Sequence, residues 1–389
     1  MRDISNKTFW QILIFFVLLR IVMVFLLMNN IPYTGVKMGG WWFYHGGDEQ
    51  SYFSLAKPIS QFEIVKKKAL LGYPLFLAPF VFFTQASNIE DILKPVFITQ
   101  AFLLFSLSII LVALIGKKIF KSKKIASLCA GIFCLHPYIF YILFHRFGSY
   151  HSGVGLTKGE RSFISLNWLQ MYSDNLSAFL VFLCFFLFFL EFQKQKPRES
   201  YLILLGILAG FSALVRTSNV LIVPIFLLGW LLKKRVKEAF LVGAFSFFSF
   251  LPQLIYNFLF LGSPFTFVYQ SYLNRSIISL FSLERLITIF EKASSYIPGF
   301  IFLALFSIVF FLLGIKYLWQ KDKIVSLILS LWFLSYTIFY ITFSFGGFQT
   351  RFFIPMIPPF IFIIVSSFVY IYEQFKKHFS INKGVLKHG

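Results

Sequence analysis

Apolar runs of about twenty residues dominate this chain, separated by short lysine-rich turns and by longer, more polar segments. The first run, Phe9 to Met28, is long enough to cross about 30 Å of hydrocarbon at about 1.5 Å per helical residue. No small-residue cleavage site follows it, so it is expected to stay as a signal anchor. Further spans are predicted over roughly 95–116, 125–144, 172–192, 201–215, 219–232, 239–261, 299–319, 324–343 and 352–372. About ten crossings result, all helical, because backbone groups in lipid must pair within their own segment. One apolar stretch is set apart. Leu70 to Thr84 carries Pro74 and Pro79 and would reach only about 22 Å as a helix, so a surface or half-buried helix is predicted there. The expectation is an all-α polytopic membrane protein, with juxtamembrane helices in the loop after the first span.

Composition agrees with the pattern. The 389 residues are 58% hydrophobic and only 13% charged, outside the range of soluble domains. The net charge of +21 invites a nucleic-acid reading, but that needs a basic face, and here the cations are dealt out in small groups between spans. The groups at 117–124, 194–198, 233–237, 321–323 and 376–377 all fall on one side if Leu70–Thr84 does not cross. The positive-inside rule makes that side cytoplasmic and puts both termini there, in a membrane expected to be the plasma (inner) membrane. Cys129, Cys134 and Cys184 lie inside spans without metal or disulfide spacing, as small buried hydrophobes. A single membrane-embedded domain, 1–373, is expected, with a short basic cytoplasmic tail at 374–389.

Function should then lie in the outer segments, 29–94, roughly 145–171 and roughly 262–298, with the short turns near Arg216 and Arg351. Nine of the fifteen acids belong to that side although the positive charge favours the other. The most informative is the pair Asp48-Glu49, in the turn after the aromatic run Trp41-Trp42-Phe43-Tyr44. A carboxylate is a weak base at its ordinary pKa, and burial against those rings beside Glu49 would raise it usefully. A merely solvated acidic turn is the plain alternative. His45 can tune Asp48 or bind a metal, although a loop histidine is more often just solvated. Asp174, in Ser173-Asp174-Asn175 at the start of a span, suits either a site or an N-cap. Arg216 and Arg351 stand at outer span ends, where a guanidinium pairs with phosphate or snorkels to headgroups. Arg20 falls well inside the first span, where a cation costs about 2.5 to 3.5 kcal/mol and must find a partner.

These residues carry a resemblance. Asp48-Glu49 after the first span, Tyr52 and Ala56 downstream and then Gly72-Tyr73-Pro74-Leu75-Phe76-Leu77-Ala78 resemble the opening of the polyprenyl-phosphate-sugar-dependent glycosyltransferases of the GT-C superfamily. The look is that of the protein O-mannosyltransferase and lipid A aminoarabinose transferase branch. Tyr172-Ser173-Asp174-Asn175-Leu176 is similar to the second acidic position of that family, and Val215-Arg216-Thr217 and Arg351-Phe352-Phe353-Ile354-Pro355 to its later basic positions. The likeness covers most of the chain in order. It implies a GT-C-like fold, catalytic roles for Asp48, Glu49 and Asp174, and donor-phosphate roles for Arg216 and Arg351, with Tyr52 in the matching stretch; His45 and Arg20 are supporting candidates on their own positions alone. Enzymes of that branch often have more spans and a larger loop domain, and no segment here resembles a sequon-binding domain, which turns the expectation away from an oligosaccharyltransferase.

The chemistry follows from the residue types. Moving a sugar from a polyprenyl phosphate to an acceptor hydroxyl needs a base near the nucleophile and positive charge near the leaving phosphate, and direct displacement inverts the sugar carbon. The acceptor class, whether glycan, lipid or protein, stays open. A divalent cation, Mg or Mn, is compatible with two carboxylates but not required by them. Two other readings remain at this level: a lipid-linked-sugar flippase or transporter, and a non-catalytic membrane assembly subunit. The chain lacks the matched broken spans of inverted-repeat transporters, which weighs weakly against the first.

Overall fold

The computed structural model describes residues 3–30, 37–39, 42–44, 48–146, 167–169, 171–266, 281–282, 300–343 and 350–385, with single positions at 284, 287 and 291. The chain is an all-α polytopic membrane protein. Its helices are α1 (Asn6–Asn30), α2 (Asp48–Ser60), α3 (Gly72–Thr84), α4 (Glu90–Phe97), α5 (Phe105–Phe120), α6 (Lys123–Arg146), α7 (Ser173–Phe192), α8 (Glu199–Val215), α9 (Ile222–Leu232), α10 (Val236–Leu261), α11 (Phe300–Lys321), α12 (Lys323–Thr342) and α13 (Ile357–Val385). The exception among the described residues is a small antiparallel hairpin, Lys37–Gly39 with Trp42–Tyr44, paired in the register Lys37 to Tyr44.

Seven helical segments of the described residues are long and apolar enough to span a bilayer: 6–26, 90–120, 173–192, 236–261, 304–321, 323–342 and 352–378. The other three expected spans fall on α6 and on the shorter apolar helices Glu199–Val215 and Thr217–Leu232. As the proline content predicted, 70–84 makes only a thirteen-residue helix, stopped at Gln85 in the left-handed conformation. The loop after α1 does hold helices, α2 and α3, packed on each other.

Two features position the site. α4 and α5 form one rod, joined through a π-helical segment at Ile98–Leu104 that the hydrophobic pattern did not reveal. A π turn widens the helix locally and shifts the direction in which its side chains project. Gly72 at the start of α3 abuts the backbone of Leu214 and Val215, leaving no room for a Cβ. α3 therefore lies directly against the end of α8, just before Arg216. Deeper in the bundle, Gly206 and Gly210 let α8 and α10 meet backbone to backbone, the small-xxx-small packing of membrane helices.

The core is aromatic. Phe185 stacks on Trp332 at 3.6 Å, and Phe182, Phe188, Phe226 and Trp230 extend the cluster between α7, α9 and α12. The lysine-rich turns meet at one end of the bundle. There Gln193 donates to the Lys118 carbonyl, Arg235 to the Gln195 carbonyl, and buried Glu191 accepts from Lys194 and the Arg198 backbone N–H. At that same end Asp3 accepts from the backbone N–H groups of Lys123 and Lys124, capping α6 from the far end of the chain. These bonds hold the Asp3 carboxyl below its ordinary value, that from Lys123 contributing most.

Candidate active site

At the opposite end of α7, the first turns of two helices and the exit of a third come together. Asp48 and Glu49 open α2, where the helix dipole favours negative charge. Successive helical residues point about 100° apart, so only one of the two can face inward. Glu49 does, fully buried, while Asp48 is exposed. The expected burial of Asp48 is thus corrected: the buried acid of the pair is its neighbour. One turn on, the Tyr52 hydroxyl hydrogen-bonds Ser173 Oγ at 3.1 Å, tying α2 to the start of α7. The Tyr52 ring meets Tyr73 of α3 edge-on at 4.8 Å. Burial pushes the Tyr73 phenol well above its ordinary value, against the Gln100 hydrogen bond and with Tyr52 and Glu49 adding to the rise. Tyr73 stays neutral and able to donate.

Asp174, beside Ser173, forms an ion pair with Arg216, and the two side chains are only 3% and 11% exposed. Arg216 gets there because α8 stops at Val215 and its own backbone is extended, turning the guanidinium back across the head of α7. It lies 4.4 Å from the centroid of the Phe352 ring, which stacks on Tyr340 at 5.2 Å. Asp174 lies in the first turn of α7, where the helix dipole favours a carboxylate, and there it faces a cation; the N-cap residue itself is Tyr172, with no side-chain capping bond. Breaking a buried pair costs about 3 to 5 kcal/mol, so Arg216 is held rather than snorkelling.

Sequence reasoning missed the amides that lock this arrangement. Gln100, on the π segment and buried, donates to the Tyr73 hydroxyl and the Tyr172 carbonyl and accepts from Asn175 Nδ2 at 2.8 Å. Asn219, fully buried, donates to Ser177 Oγ and the Ser212 carbonyl and accepts from the Tyr336 hydroxyl, each at 2.8 to 2.9 Å. The available signal was an amide in an apolar run, which is costly unless fully partnered.

Of the expected site residues, then, the structure brings Tyr52, Asp174 and Arg216 into one chain of contacts through Ser173, with Glu49 buried one turn before Tyr52 on α2 and Asp48 exposed beside it. Arg351 lies in the 3-10 turn Thr350–Met356, next to Phe352, with its side chain outside the described residues. His45 lies outside the described residues altogether, as do most of the segments 145–171 and 262–298. Arg20 belongs to a different cluster, fully buried with its guanidinium 4.0 Å from the centroid of the Phe105 ring. Among the described residues no three His, Cys, Asp or Glu side chains gather as metal ligands. The Asp174 carboxylate is engaged by Arg216, so a cation shared with Asp48 would have to compete with a guanidinium.

No protein-family model matches the sequence, and no curated protein matches it either. Solved structures do. The archaeal oligosaccharyltransferase of Archaeoglobus fulgidus, crystallised with Zn and sulfate, superposes with a TM-score of 0.57 at 14% identity, covering 95% of this chain and 51% of its own. The same organism's oligosaccharyltransferase AglB, in complex with an inhibitory peptide and a dolichol-phosphate, gives 0.57 at 14% identity over 97% and 52%. The form tethered to an acceptor peptide with the NVT sequon gives 0.54 at 13% identity over 95% and 50%. The shared property is the fold. This chain spans about half the length of those structures, and identity so low carries fold rather than activity.

Proposed function

We propose that this protein is a GT-C-type membrane glycosyltransferase, moving a sugar from a polyprenyl-phosphate donor to an acceptor hydroxyl, with inversion, on the outer membrane face. The observation that carries the reading is the convergence of the acid-bearing α2, Asp174 and Arg216 at one end of the bundle. Asp48 takes the proton of the acceptor hydroxyl. The freed oxygen attacks the anomeric carbon, the carbon–oxygen bond to phosphate breaks, and the phosphate leaves with the electron pair. Arg216, with Arg351 on the neighbouring turn, neutralises that charge as it develops. Asp174 acts by orienting Arg216, and Glu49 by its field on the Tyr73 hydroxyl behind the reacting groups. The acceptor is a glycan, lipid or protein, with no part for nucleic acid.

The gathering of the lysine-rich turns at the end opposite the acids supports an outward-facing site with both termini cytoplasmic, by the positive-inside rule. The dolichol-phosphate bound to the archaeal neighbour supports a lipid-phosphate donor. The deciding experiment incubates purified protein in detergent with radiolabelled polyprenyl-phosphate sugars and mixed acceptors, with and without chelator. A labelled covalent product supports the proposal, and its loss with chelator adds a metal. Movement of intact donor across proteoliposomes without product would point to a flippase. An unchanged cellular role after neutralising both Asp48 and Asp174 would leave only the assembly-subunit reading.

A further inference from the structure

The candidate site uses the acids and Arg216, and leaves one buried cation unexplained. Arg20 is completely buried on the inward face of α1, and its Nε, Nη1 and Nη2 all lack hydrogen-bond partners. No carboxylate forms an ion pair with it among the described residues. Phe105 offers its π face, but a guanidinium directs its five N–H groups outward in its own plane, where a ring face cannot receive them. Trp168 meets the same Phe105 ring edge-on at 4.7 Å, and its indole Nε1–H is likewise buried without an acceptor. The His136 ring also meets Phe105, at 5.8 Å, with its Nδ1 bonded to the Phe133 carbonyl, and makes no hydrogen bond to Arg20 or Trp168. Two donor groups, one of them charged, thus gather about a single ring with no bonded acceptor.

The position of this cluster limits what can fill it. Phe105 follows Gln100 on the same rod by five residues, more than one turn further along, so Arg20 lies below the tyrosine and amide network. α1 is peripheral, with Ile14, Phe15, Leu18, Val22, Phe25 and Leu26 turned outward to lipid. The seam between α1 and the π segment is closed on its outer part by the Phe25 and Phe102 rings, whose centroids are 6.2 Å apart. An anion that approaches Arg20 from the α1 side comes from the bilayer and is carried by a lipid.

We propose that Arg20 and Trp168 form a receptor for the phosphate group of a membrane lipid, entered between α1 and the π segment. The ligand chemistry is a phosphate ester on a long hydrocarbon chain, supplied either by a polyprenyl monophosphate or by an ordinary anionic phospholipid. Arg20 donates to the phosphate oxygens in its plane, and Trp168 adds a neutral N–H. The site stands independently of glycosyl transfer. If transfer fails while lipid binding persists, only the enzymatic reading falls.

The test measures the melting temperature of the purified full chain in detergent, titrated separately with polyprenyl monophosphate, phosphatidylglycerol and inorganic phosphate. A saturable rise with either lipid, absent with inorganic phosphate, is expected for the wild type, and the lipid that acts identifies the source. Arg20→Met and Arg20→Gln are expected to weaken that lipid at least tenfold. Arg20→Met should melt no lower than wild type when no lipid is added, since it removes an unpaired buried charge. Trp168→Phe keeps the ring on Phe105 and should weaken binding about threefold. Wild-type protein that no lipid stabilises would overturn the proposal, as would an Arg20→Met variant that melts lower yet binds lipid unchanged.

Discussion

Replacing Asp48 by Asn removes an exposed carboxylate and one favourable charge at a helix start, worth no more than about 1 kcal/mol of stability. If Asp48 is the base, turnover falls by about 10² to 10⁴-fold while the melting temperature hardly moves. Turnover within a few fold of wild type would remove Asp48 from the chemistry and direct attention to Glu49. Arg216 behaves differently because its partner is buried. Arg216→Ala strands the Asp174 carboxylate and should cost about 3 to 5 kcal/mol in denaturant unfolding. Adding Asp174→Asn should recover much of that loss, since the double variant buries no lone charge. Strict additivity in this cycle would show that the two groups do not interact.

At the scale of elements, the π segment earns its place through Gln100, which joins α3 to the head of α7. Gln100→Leu leaves Tyr73 and Asn175 each short of a partner in a dry setting, at about 1 to 3 kcal/mol apiece. Loosened in this way, the Tyr52 to Ser173 contact should fail with it, so turnover should fall further than stability alone explains. A normal melting curve with normal turnover would show the amide to be dispensable. At the other end, Asp3 caps α6 from outside that helix. Asp3→Ala should cost from a few tenths to about 1 kcal/mol at neutral pH, Asp3 being exposed. Its folded carboxyl titrates below the unfolded value of 3.8. The stabilisation is therefore whole above that value and lost as pH falls through the folded one. Wild type and variant should converge in stability only in strong acid, and a difference that persists there would mean the cap is not electrostatic.

For the whole molecule, the prediction concerns sidedness. The lysine-rich turns and the acid-bearing helices occupy opposite ends, and all three native cysteines are buried, so introduced thiols can be labelled against a quiet background. Lys196→Cys should react with an impermeant maleimide only from the cytoplasmic face, and Ser51→Cys only from the outer face. Labelling of both from one side would overturn the arrangement. The fold likeness covers nearly the whole of this chain and about half of the archaeal oligosaccharyltransferase, so the comparison concerns a membrane bundle as a unit rather than one shared motif.

The helices, their lipid-spanning character and the short helix at 72–84 were written in the one-dimensional pattern, because bilayer thickness and breaker residues act locally along the chain. The same holds for Asp174 and Arg216 as notable residues, since charge is conspicuous in apolar sequence. That these two face each other, that Glu49 rather than Asp48 turns inward, and that Gln100 and Asn219 bind the site were decided only in three dimensions. Helical phase fixed the first acid, a π turn aimed the glutamine, and glycine at position 72 let α3 close on α8. Apart from the helical phase, those are properties of packing between segments from 27 to at least 121 residues apart, and hydrophobic periodicity has no term for them.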